Sequence, residues 1–264
     1  MEGHTDGVWA LNYMTDGRQL ISASVDGKVK IWDSNAGRAS TTLSFHESKV
    51  YQAQANEAMN MAVSVGSDRK IAVWDLRRAQ QPLFVNEDST ASVTACDFTC
   101  DQKSIVTATF AGRVNVIDLD TRERRVDYDI MFLSENEEEN MCYHVASVPN
   151  YPTGGNCFVL SSGVGVPNVI NYEGWHDEPL HRLETVNKYH GHSAAVRYCE
   201  FSPDRSKMLS CCADHSLRVW DREQEVTLKI LSGHSDLATA GIWLNENTCV
   251  SGSWDCKIMV WHLN

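Results

Sequence analysis

The chain has 264 residues, 42% of them hydrophobic, which is enough to bury a sizeable apolar core. Its 35 acidic residues outnumber 23 Lys and Arg, giving a formal net charge of -12 at pH 7. This charge disfavours nucleic acid and anionic membranes as partners, because both are bound through clustered cations. The nine cysteines include no Cys-x-x-Cys pair, so they are interpreted as small reduced core residues and not as a disulfide framework.

The sequence contains neither a charged-then-apolar N-terminal segment nor an apolar run of membrane-spanning length. Secretion and membrane insertion therefore have no support. The expectation is a cytoplasmic protein, with the nucleus as the other possible location.

A histidine and a tryptophan recur along the chain at almost constant spacing. The distance is 28 positions from His4 to Trp32 and 27 positions from His234 to Trp261. The two pairs between them, His46 to Trp74 and His192 to Trp220, are also 28 positions apart. An aspartate lies six residues before each tryptophan, namely Asp26, Asp68, Asp214 and Asp255. A repeat of roughly 40 residues with this signature is typical of four-stranded blades.

The first repeat predicts a β-hairpin. The run from Gln19 to Ser24 has the alternation of a strand, Asp26-Gly27 is a turn that accepts positive φ, and Val29 to Trp32 is the return strand. No segment shows convincing helical periodicity, so the chain is predicted to be all-β.

Six repeats follow one another, at approximately 3–44, 45–85, 86–130, 131–188, 189–230 and 231–264. Their expected anchors at the tryptophan position are Trp32, Trp74, Ile117, Tyr172, Trp220 and Trp261. Repeat 3 has Ala111-Gly112 at its turn and Ile117 at its anchor. Repeat 4 keeps only strand-like runs at 141–148, 157–162 and 168–172, with an acidic insertion at 134–140 and a Pro/Gly-rich turn at 149–155. The acidic run is interpreted first as a solvated loop, and second as a docking site for a basic partner.

These residues resemble the WD-repeat family of β-propellers. The motifs that carry the resemblance are Gly3-His4…Asp26…Trp32-Asp33, His46…Asp68…Trp74-Asp75, Gly191-His192…Asp214…Trp220-Asp221 and Gly233-His234…Asp255…Trp261. The resemblance implies one domain over 1–264, a single propeller of six four-stranded-type blades. It also implies a hydrogen-bonded network in each regular blade, formed by the histidine, the aspartate, the tryptophan and a serine of the second strand, Ser22 or Ser24 in the first repeat.

Histidine, serine and aspartate together could suggest a nucleophilic triad, but an enzyme needs one such site and this chain has four copies. The prediction is no catalysis, no cofactor and no metal. His190 and His192 lie on one face of a possible strand, yet His192 already belongs to the network, and His176 and His181 have no paired ligand set. Gly163 to Pro167 is interpreted as a tight turn, not a phosphate loop. An enzyme built on Cys142, His144 and Cys157 of repeat 4 is the least favoured hypothesis.

Partner binding is expected where the inner strands begin. The residues after the first apolar anchor of these strands are Trp9, Tyr51, Thr94, Arg197 and Ala238, and the residues before the turn aspartates are Val25, Ser67, Ala213 and Trp254. The predicted partner-binding set is Trp9, Tyr51, Arg197 and Trp254, because large aromatics and arginine are enriched at interface hot spots. For Trp9 and Tyr51, burial against the neighbouring blade is the alternative.

The last repeat has no segment for an outer strand, whereas Ser40 to Ser44 and Val226 to Ile230 supply one elsewhere. Three explanations stay open: a tolerated three-stranded blade, truncation from a longer protein, or an edge completed by a partner's strand.

The leading functional hypothesis is a non-catalytic scaffold or adaptor for protein or peptide partners. The second is a substrate receptor of a cullin-RING ubiquitin ligase, because Asp68, Trp74, Asp75 and Arg77 resemble the box that docks such propellers on the ligase adaptor. The third is a partner-completed propeller of a larger assembly.

Overall fold

The computed structural model describes residues 2–14, 17–56, 58–129, 141–148, 157–171 and 184–263, with the backbone alone for 125–129 and 184–186. These residues form antiparallel sheets, called blades 1 to 6 in chain order, and one 3-10 helix at Leu76–Arg78. Blade 1 consists of β1 (Val8–Tyr13), β2 (Gln19–Ser24), β3 (Lys28–Asp33) and β4 (Arg38–Ser44). Blade 2 consists of β5 (Val50–Asn56), β6 (Met61–Gly66), β7 (Ile71–Asp75) and β8 (Phe84–Asn86).

The four later blades follow the same consecutive order. Blade 3 consists of β9 (Val93–Phe98), β10 (Ser104–Thr109), β11 (Arg113–Asp118) and β12 (Arg124–Asp129). Blade 4 consists of β13 (Cys142–Val148), β14 (Cys157–Ser162), β15 (Asn168–Asn171) and β16 (Glu184–Lys188). Blade 5 consists of β17 (Val196–Phe201), β18 (Lys207–Cys212), β19 (Ser216–Asp221) and β20 (Thr227–Ser232). Blade 6 has three strands in the described residues: β21 (Ala238–Asn245), β22 (Thr248–Ser253) and β23 (Ile258–His262).

The predicted fold class is confirmed in the described residues: all-β, with six propeller-type blades, of which the last has three strands. The outer strands expected near 40–44 and 226–230 are β4 and β20. The chain divides into two compact units. One comprises Met1–Phe98, Gln102–Phe110 and Asn115–Arg125, and the other comprises Thr99–Asp101, Ala111–Val114 and Val126–Asn264. The organisation of 1–264 as one domain stays a prediction.

Each unit is held together by neighbouring blades that pack face to face. In the first unit, Ile21 and Ile31 of blade 1 share a buried cluster with Val50 and Trp74 of blade 2. In the second unit, Leu217 of blade 5 is buried in a cluster that also contains Cys249 of blade 6. Strands buried on both faces lose the clean alternation of a half-exposed strand, as in β6, where every residue is buried.

The register of blade 4 corrects one sequence expectation. Its turn glycine, Gly165, has φ +77, as Gly27 does in blade 1, and Phe158 pairs with Ile170 as Met208 pairs with Trp220 in blade 5. Ile170 therefore occupies the tryptophan position, and the expected anchor Tyr172 was wrong by two residues. Tyr172 itself lies outside the described residues, as do the acidic insertion 134–140, the segment 149–155, His176 and His181.

The cysteines form no disulfide, and seven of the nine are buried, as expected for small core residues. Cys256 is exposed and Cys100 is intermediate. Burial raises the pKa of the Cys142 thiol to about 12. In the part of the chain that is described, no helix has the length and apolar character needed to cross a membrane.

Glu200 lies where blade 5 packs against blade 6. Its side chain accepts the backbone N–H of Trp243 at 3.2 Å, and its backbone carbonyl accepts the indole N–H of Trp243 at 3.3 Å. Burial raises the pKa of Glu200 to about 7, although the Trp243 hydrogen bond opposes this shift. Since the folded-state pKa exceeds the unfolded one, stability from this group is present below the unfolded pKa and is lost as the pH rises through 7.

Glu200→Gln is therefore expected to stabilise the protein more above pH 7 than at acidic pH. Relative to the parent chain, the free energy of unfolding should rise by about 1–2 kcal/mol more at pH 8.5 than at pH 5. Urea unfolding at the two pH values measures this difference, with Glu246→Gln, which removes an exposed carboxylate, as the matched control. An equal effect of Glu200→Gln at both pH values would contradict the argument.

Candidate functional site

The repeated histidine, serine, aspartate and tryptophan meet in four blades. In blade 5, His192 Nδ1 lies 2.8 Å from a carboxylate oxygen of Asp214, and His192 Nε2 lies 2.7 Å from Ser210 Oγ. The indole N–H of Trp220 donates to the same Ser210 Oγ at 2.8 Å. The predicted network is thus present. Its members in the other three blades are His4, Ser22, Asp26 and Trp32, then His46, Ser64, Asp68 and Trp74, then His234, Ser251, Asp255 and Trp261.

The structure also selects between the two candidate serines of the first repeat. Ser22 is the network member, because its Oγ accepts the Trp32 indole N–H at 2.8 Å. Ser24 instead donates to the backbone carbonyl of Gly7 at 2.9 Å, across the start of the hairpin.

The distances match those of a nucleophilic triad, yet the serine is not placed to attack a substrate. Ser64 and Ser210 are both 0% exposed. Each also accepts an indole N–H, so a neutral histidine leaves every polar group of the network paired. The arrangement braces the hairpin between the blades, since satisfied buried networks rigidify a structure.

The charge state of the network is clearest in blade 5. Burial would raise the pKa of Asp214, but hydrogen bonds from Ser216 and His192 outweigh it and hold that pKa well below its usual range. Burial lowers the pKa of His192, while Asp214 acts in the opposite direction. The aspartate is therefore ionised and the imidazole neutral at pH 7, with Nδ1–H donated to the carboxylate.

Blades 3 and 4 lack the network as a whole. In blade 3 the aspartate and tryptophan positions are Ala111 and Ile117, and the hydroxyl of Thr107, at the serine position, has no hydrogen-bond partner in the described residues. In blade 4 Leu160 and Ile170 fill the serine and tryptophan positions with apolar side chains. Thr107 is thus a buried hydroxyl without the histidine and indole that would pair with it, whereas the apolar side chains of blade 4 leave no such group at these two positions.

The hairpin turn keeps its geometry in all six blades. The residue after the aspartate position has positive φ throughout: Gly27, Arg69, Gly112, Gly165, His215 and Cys256. In blade 1 the Asp26 carboxylate accepts the backbone N–H of Lys28 at 3.0 Å, and the same bond recurs in blades 2, 5 and 6. These Asx-type turns explain why aspartate precedes a residue in the left-handed region. The segment from Gly163 is a tight turn, as expected, although Val164 stands at its aspartate position and the positive φ is carried by Gly165.

Every inner strand also carries a β-bulge at its first residues. The pairing shifts between Val8 and Ala10 in blade 1, and between Val196 and Tyr198 in blade 5. The inserted residues of the six blades are Trp9, Tyr51, Thr94, Tyr143, Arg197 and Thr239. A bulge leaves one residue out of the alternation and re-aims its side chain, so these six positions form one equivalent set, called the bulge residues.

The sequence identified four of the bulge residues and missed two. Thr239, not Ala238, is the inserted residue of blade 6, because the pairing shifts between Ala238 and Ala240. Ala238 is fully buried instead. Tyr143 was not considered because repeat 4 has no motif to align it. The only available signal was its position in the strand-like run 141–148.

Neighbouring bulge residues contact each other within each unit. In the first unit the rings of Trp9 and Tyr51 meet edge to face, with centroids 5.8 Å apart, and Trp9 is 56% exposed. In the second unit the guanidinium of Arg197 lies 4.0 Å from the ring centroid of Tyr143. Thr94 and Thr239 instead donate to the carbonyls of Ala108 and Gly252 on the partner strand.

The residue before each hairpin turn lies at the end of its sheet where the inner strand begins. Each one donates its backbone N–H to the segment that precedes the inner strand: Val25, Ser67, Phe110, Gly163, Ala213 and Trp254. Trp254 is 62% exposed, in agreement with the expectation that it has little core to fill. Phe110, also exposed, was not anticipated because blade 3 has no turn aspartate to count from. Whether the predicted set Trp9, Tyr51, Arg197 and Trp254 binds partners stays a prediction.

Metal and thiol chemistry find little support in the geometry. One group in the described residues could offer three ligand atoms, namely His192, Cys212 and Asp214. Both ring nitrogens of His192 are already engaged in its network. Cys142 and His144 of blade 4 are buried, and burial lowers the pKa of His144 to about 4, with a hydrogen bond from His144 to the backbone of Cys199 acting in the opposite direction. A buried thiol with a raised pKa is a poor nucleophile.

Arg77 of the predicted adaptor-docking box forms an ion pair with its own neighbour. Its Nε and Nη2 donate to the two carboxylate oxygens of Asp75 at 2.8 and 3.0 Å. Asp68 and Trp74, the other two residues of the box, belong to the blade 2 network. The ligase hypothesis is not tested by this geometry and stays a prediction.

Comparison with known proteins places these features in a family context. A family model described as "WD domain, G-beta repeat" matches residues 1–33, 183–221 and 225–262. Target of rapamycin complex subunit wat1 of Schizosaccharomyces pombe is 23% identical over 77% of this chain and 74% of its own length. Target of rapamycin complex subunit LST8 of Saccharomyces cerevisiae is 23% identical over 81% of each chain. Pre-mRNA-processing factor 17 of Homo sapiens is 25% identical over 98% of this chain, which spans 43% of that protein.

Proposed function

Because the chain belongs to the WD-repeat family, we propose that it is a non-catalytic scaffold that presents the bulge residues and Trp254 to protein or peptide partners. The observation that carries the proposal is the bulge at the start of each inner strand, which re-aims six side chains at equivalent positions. The similar proteins named as complex subunits also support a role in assemblies. The four serine-containing networks argue against catalysis, since each serine is buried and accepts a hydrogen bond from the indole N–H of its tryptophan.

The chemistry of the surface favours protein partners over nucleic acid. The net charge of -12 gives no general attraction for phosphate backbones. Exposed tryptophan beside half-buried tyrosine offers a large apolar area at low cost in side-chain entropy, which suits peptide recognition. Cytoplasm or nucleus is the proposed location.

Affinity purification with quantitative mass spectrometry tests the scaffold proposal. A defined set of proteins should co-purify with the parent chain and be depleted at least about tenfold from the Trp9→Ala/Trp254→Ala double variant, since hot-spot truncations cost about 2 kcal/mol or more. Tyr13→Ala is the matched control, because Tyr13 is 67% exposed on the same strand as Trp9 but outside the bulge. Unchanged recovery from the double variant would refute the assigned surface. The absence of any specific partner would refute the scaffold.

Blade 6 supports a second proposal, that a partner strand completes its sheet. One face of this blade carries exposed apolar side chains whose equivalents in blade 5 are buried. Ile258 is 79% and Val260 55% exposed, whereas Leu217 and Val219 are 0% and 1% exposed. In blade 5 the outer strand β20 covers the edge of β19, and β23 has no such neighbour in the described residues. An unpaired edge beside an apolar face is suited to β-augmentation.

Hydrogen exchange on the co-purified assembly tests strand donation. The backbone amides of Ile258–His262 should exchange more slowly in the assembly than in the isolated chain, because a donated strand would pair with them. The amides of β20, which already pair with β19, provide the internal control. Equal exchange of β23 in both states would rule out completion of this edge.

A further inference from the structure

The strongest unexplained feature of the second unit is the pair Tyr143 and Arg197. Both are bulge residues, one in blade 4 and one in blade 5, and the guanidinium carbon lies 4.0 Å from the ring centroid. The Tyr143 hydroxyl donates to the sulfur of Met141 at 3.4 Å, which restrains the ring. A guanidinium this close to the centre of an aromatic ring makes a cation–π contact, and this contact does not use its N–H groups as hydrogen-bond donors.

Arg197 also has unused hydrogen-bonding capacity. Its Nε is buried and has no hydrogen-bond partner in the described part of the chain, and no carboxylate there forms an ion pair with it. Arg77 pairs locally with Asp75 and Arg222 with Glu223, whereas the Nε of Arg218, which is not a bulge residue, also has no hydrogen-bond partner in the described residues. A desolvated donor without an acceptor is costly to maintain, so its presence at a surface bulge position indicates a group that arrives from outside.

The identity of the missing group follows from the donor. Guanidinium presents a planar fork that matches two oxygens of a carboxylate or a phosphate. The equivalent pair of the first unit, Trp9 and Tyr51, carries no charge. At the bulge positions the first unit therefore offers aromatic contact, and the second unit offers ionic contact.

We propose that Arg197, oriented by Tyr143, binds an anionic side chain of a peptide partner, a carboxylate or a phosphate. The inference rests on the proposed scaffold function and specifies the chemistry of its partner. Because the chain as a whole is acidic, with a net charge of -12, recognition of an anion here depends on this local pair and not on general attraction.

Nuclear magnetic resonance of the arginine Nε–Hε groups in the full chain tests the proposal directly. The probes are acetate, inorganic phosphate, and a capped Gly-Ser-Glu-Ser-Gly peptide with its phosphoserine and glutamine counterparts. The Arg197 signal should shift and saturate with the anionic probes and stay unchanged with the glutamine peptide. The probe that saturates at the lower concentration distinguishes carboxylate from phosphate.

Substitutions at Arg197 and Arg218 distinguish binding at a specific site from an effect of net charge alone. Arg197→Gln should abolish saturable binding, and Arg197→Lys, which keeps the charge but loses the fork, should weaken it at least about tenfold. Arg218→Gln is the matched control, because Arg218 lies in the same blade, 5.7 Å from the Trp220 ring, and its Nε also lacks a partner. It should bind like the parent chain.

The outcomes also distinguish this inference from the scaffold proposal. No saturable shift at Arg197, or equal binding by Arg197→Gln, would overturn the anion site even if partners still co-purify through Trp9 and Trp254. A saturating shift at Arg197 together with the absence of any co-purifying protein would instead support the anion site and refute the scaffold proposal.

Discussion

Replacing Ser210 by alanine should lower the free energy of unfolding by about 2–4 kcal/mol, because two buried groups lose their partner and each costs about 1–3 kcal/mol. Ser210 Oγ accepts the Trp220 indole N–H at 2.8 Å and lies 2.7 Å from His192 Nε2. Neither group can turn to solvent, since Trp220 is fully buried and the His192 side chain is 0% exposed. Urea unfolding followed by tryptophan fluorescence measures the loss.

Ser232→Ala is the control for the Ser210 prediction. It makes the same substitution in the same blade, on the exposed edge of β20, and should change stability by less than about 0.5 kcal/mol. A second check comes from blade 3, where Thr107→Val should be close to neutral, because the Thr107 hydroxyl has no partner to lose in the described residues. Similar effects of Ser210→Ala and Thr107→Val would show that the network does not brace the blade.

Gly241→Ala should destabilise the contact between blades 5 and 6 by about 1–3 kcal/mol, the usual cost of overpacking a core. Gly241 lies on β21, and a Cβ added there would meet Cys211 Sγ at 2.6 Å and Leu209 Cδ2 at 3.0 Å, both on β18. Thermal and urea unfolding should both register the loss.

A double-mutant cycle tests the cause of this effect. Cys211→Ala removes the sulfur that the new methyl group would meet, so the combination with Gly241→Ala should be more stable than the two single effects predict. Gly252→Ala provides the matched control, since a Cβ added at that glycine meets nothing within 4 Å. Additive effects of Gly241→Ala and Cys211→Ala would mean that the two residues do not compete for space.

Much of the fold could be predicted from the sequence because its repeating signals are local. The aspartate of each regular turn bonds a backbone N–H two residues later, so the turn is specified within a few residues, as at Asp26 and Lys28. The histidine-to-tryptophan spacing follows from the hairpin length, since His192 and Trp220 must both reach Ser210. Blade 4 lacks these residues. The sequence therefore predicts Tyr172 at the tryptophan position, which Ile170 occupies in the structure.

The candidate surface was only partly predictable, because a bulge leaves no mark in the period-two alternation. A shift of one residue in the register changes which side chain the bulge re-aims. For this reason the sequence predicted Ala238 as the exposed residue of blade 6, whereas Thr239 is the bulge residue. The contact between Tyr143 and Arg197 joins two blades through residues 54 positions apart, and no local pattern encodes that distance.

The sequence by itself determined six hairpin-built sheets and four internal networks, since both depend on turn chemistry and hydrogen bonds within one blade. The tertiary structure alone decided which serine joins the network, which bulge residues meet, and which apolar residues stay exposed. Ile258 and Leu217 have the same place in their blades and similar side chains, yet one is 79% exposed and the other fully buried. Burial depends on what packs against the face of a sheet, as blade 6 packs against Leu217 of blade 5, and the side chain itself does not encode that contact.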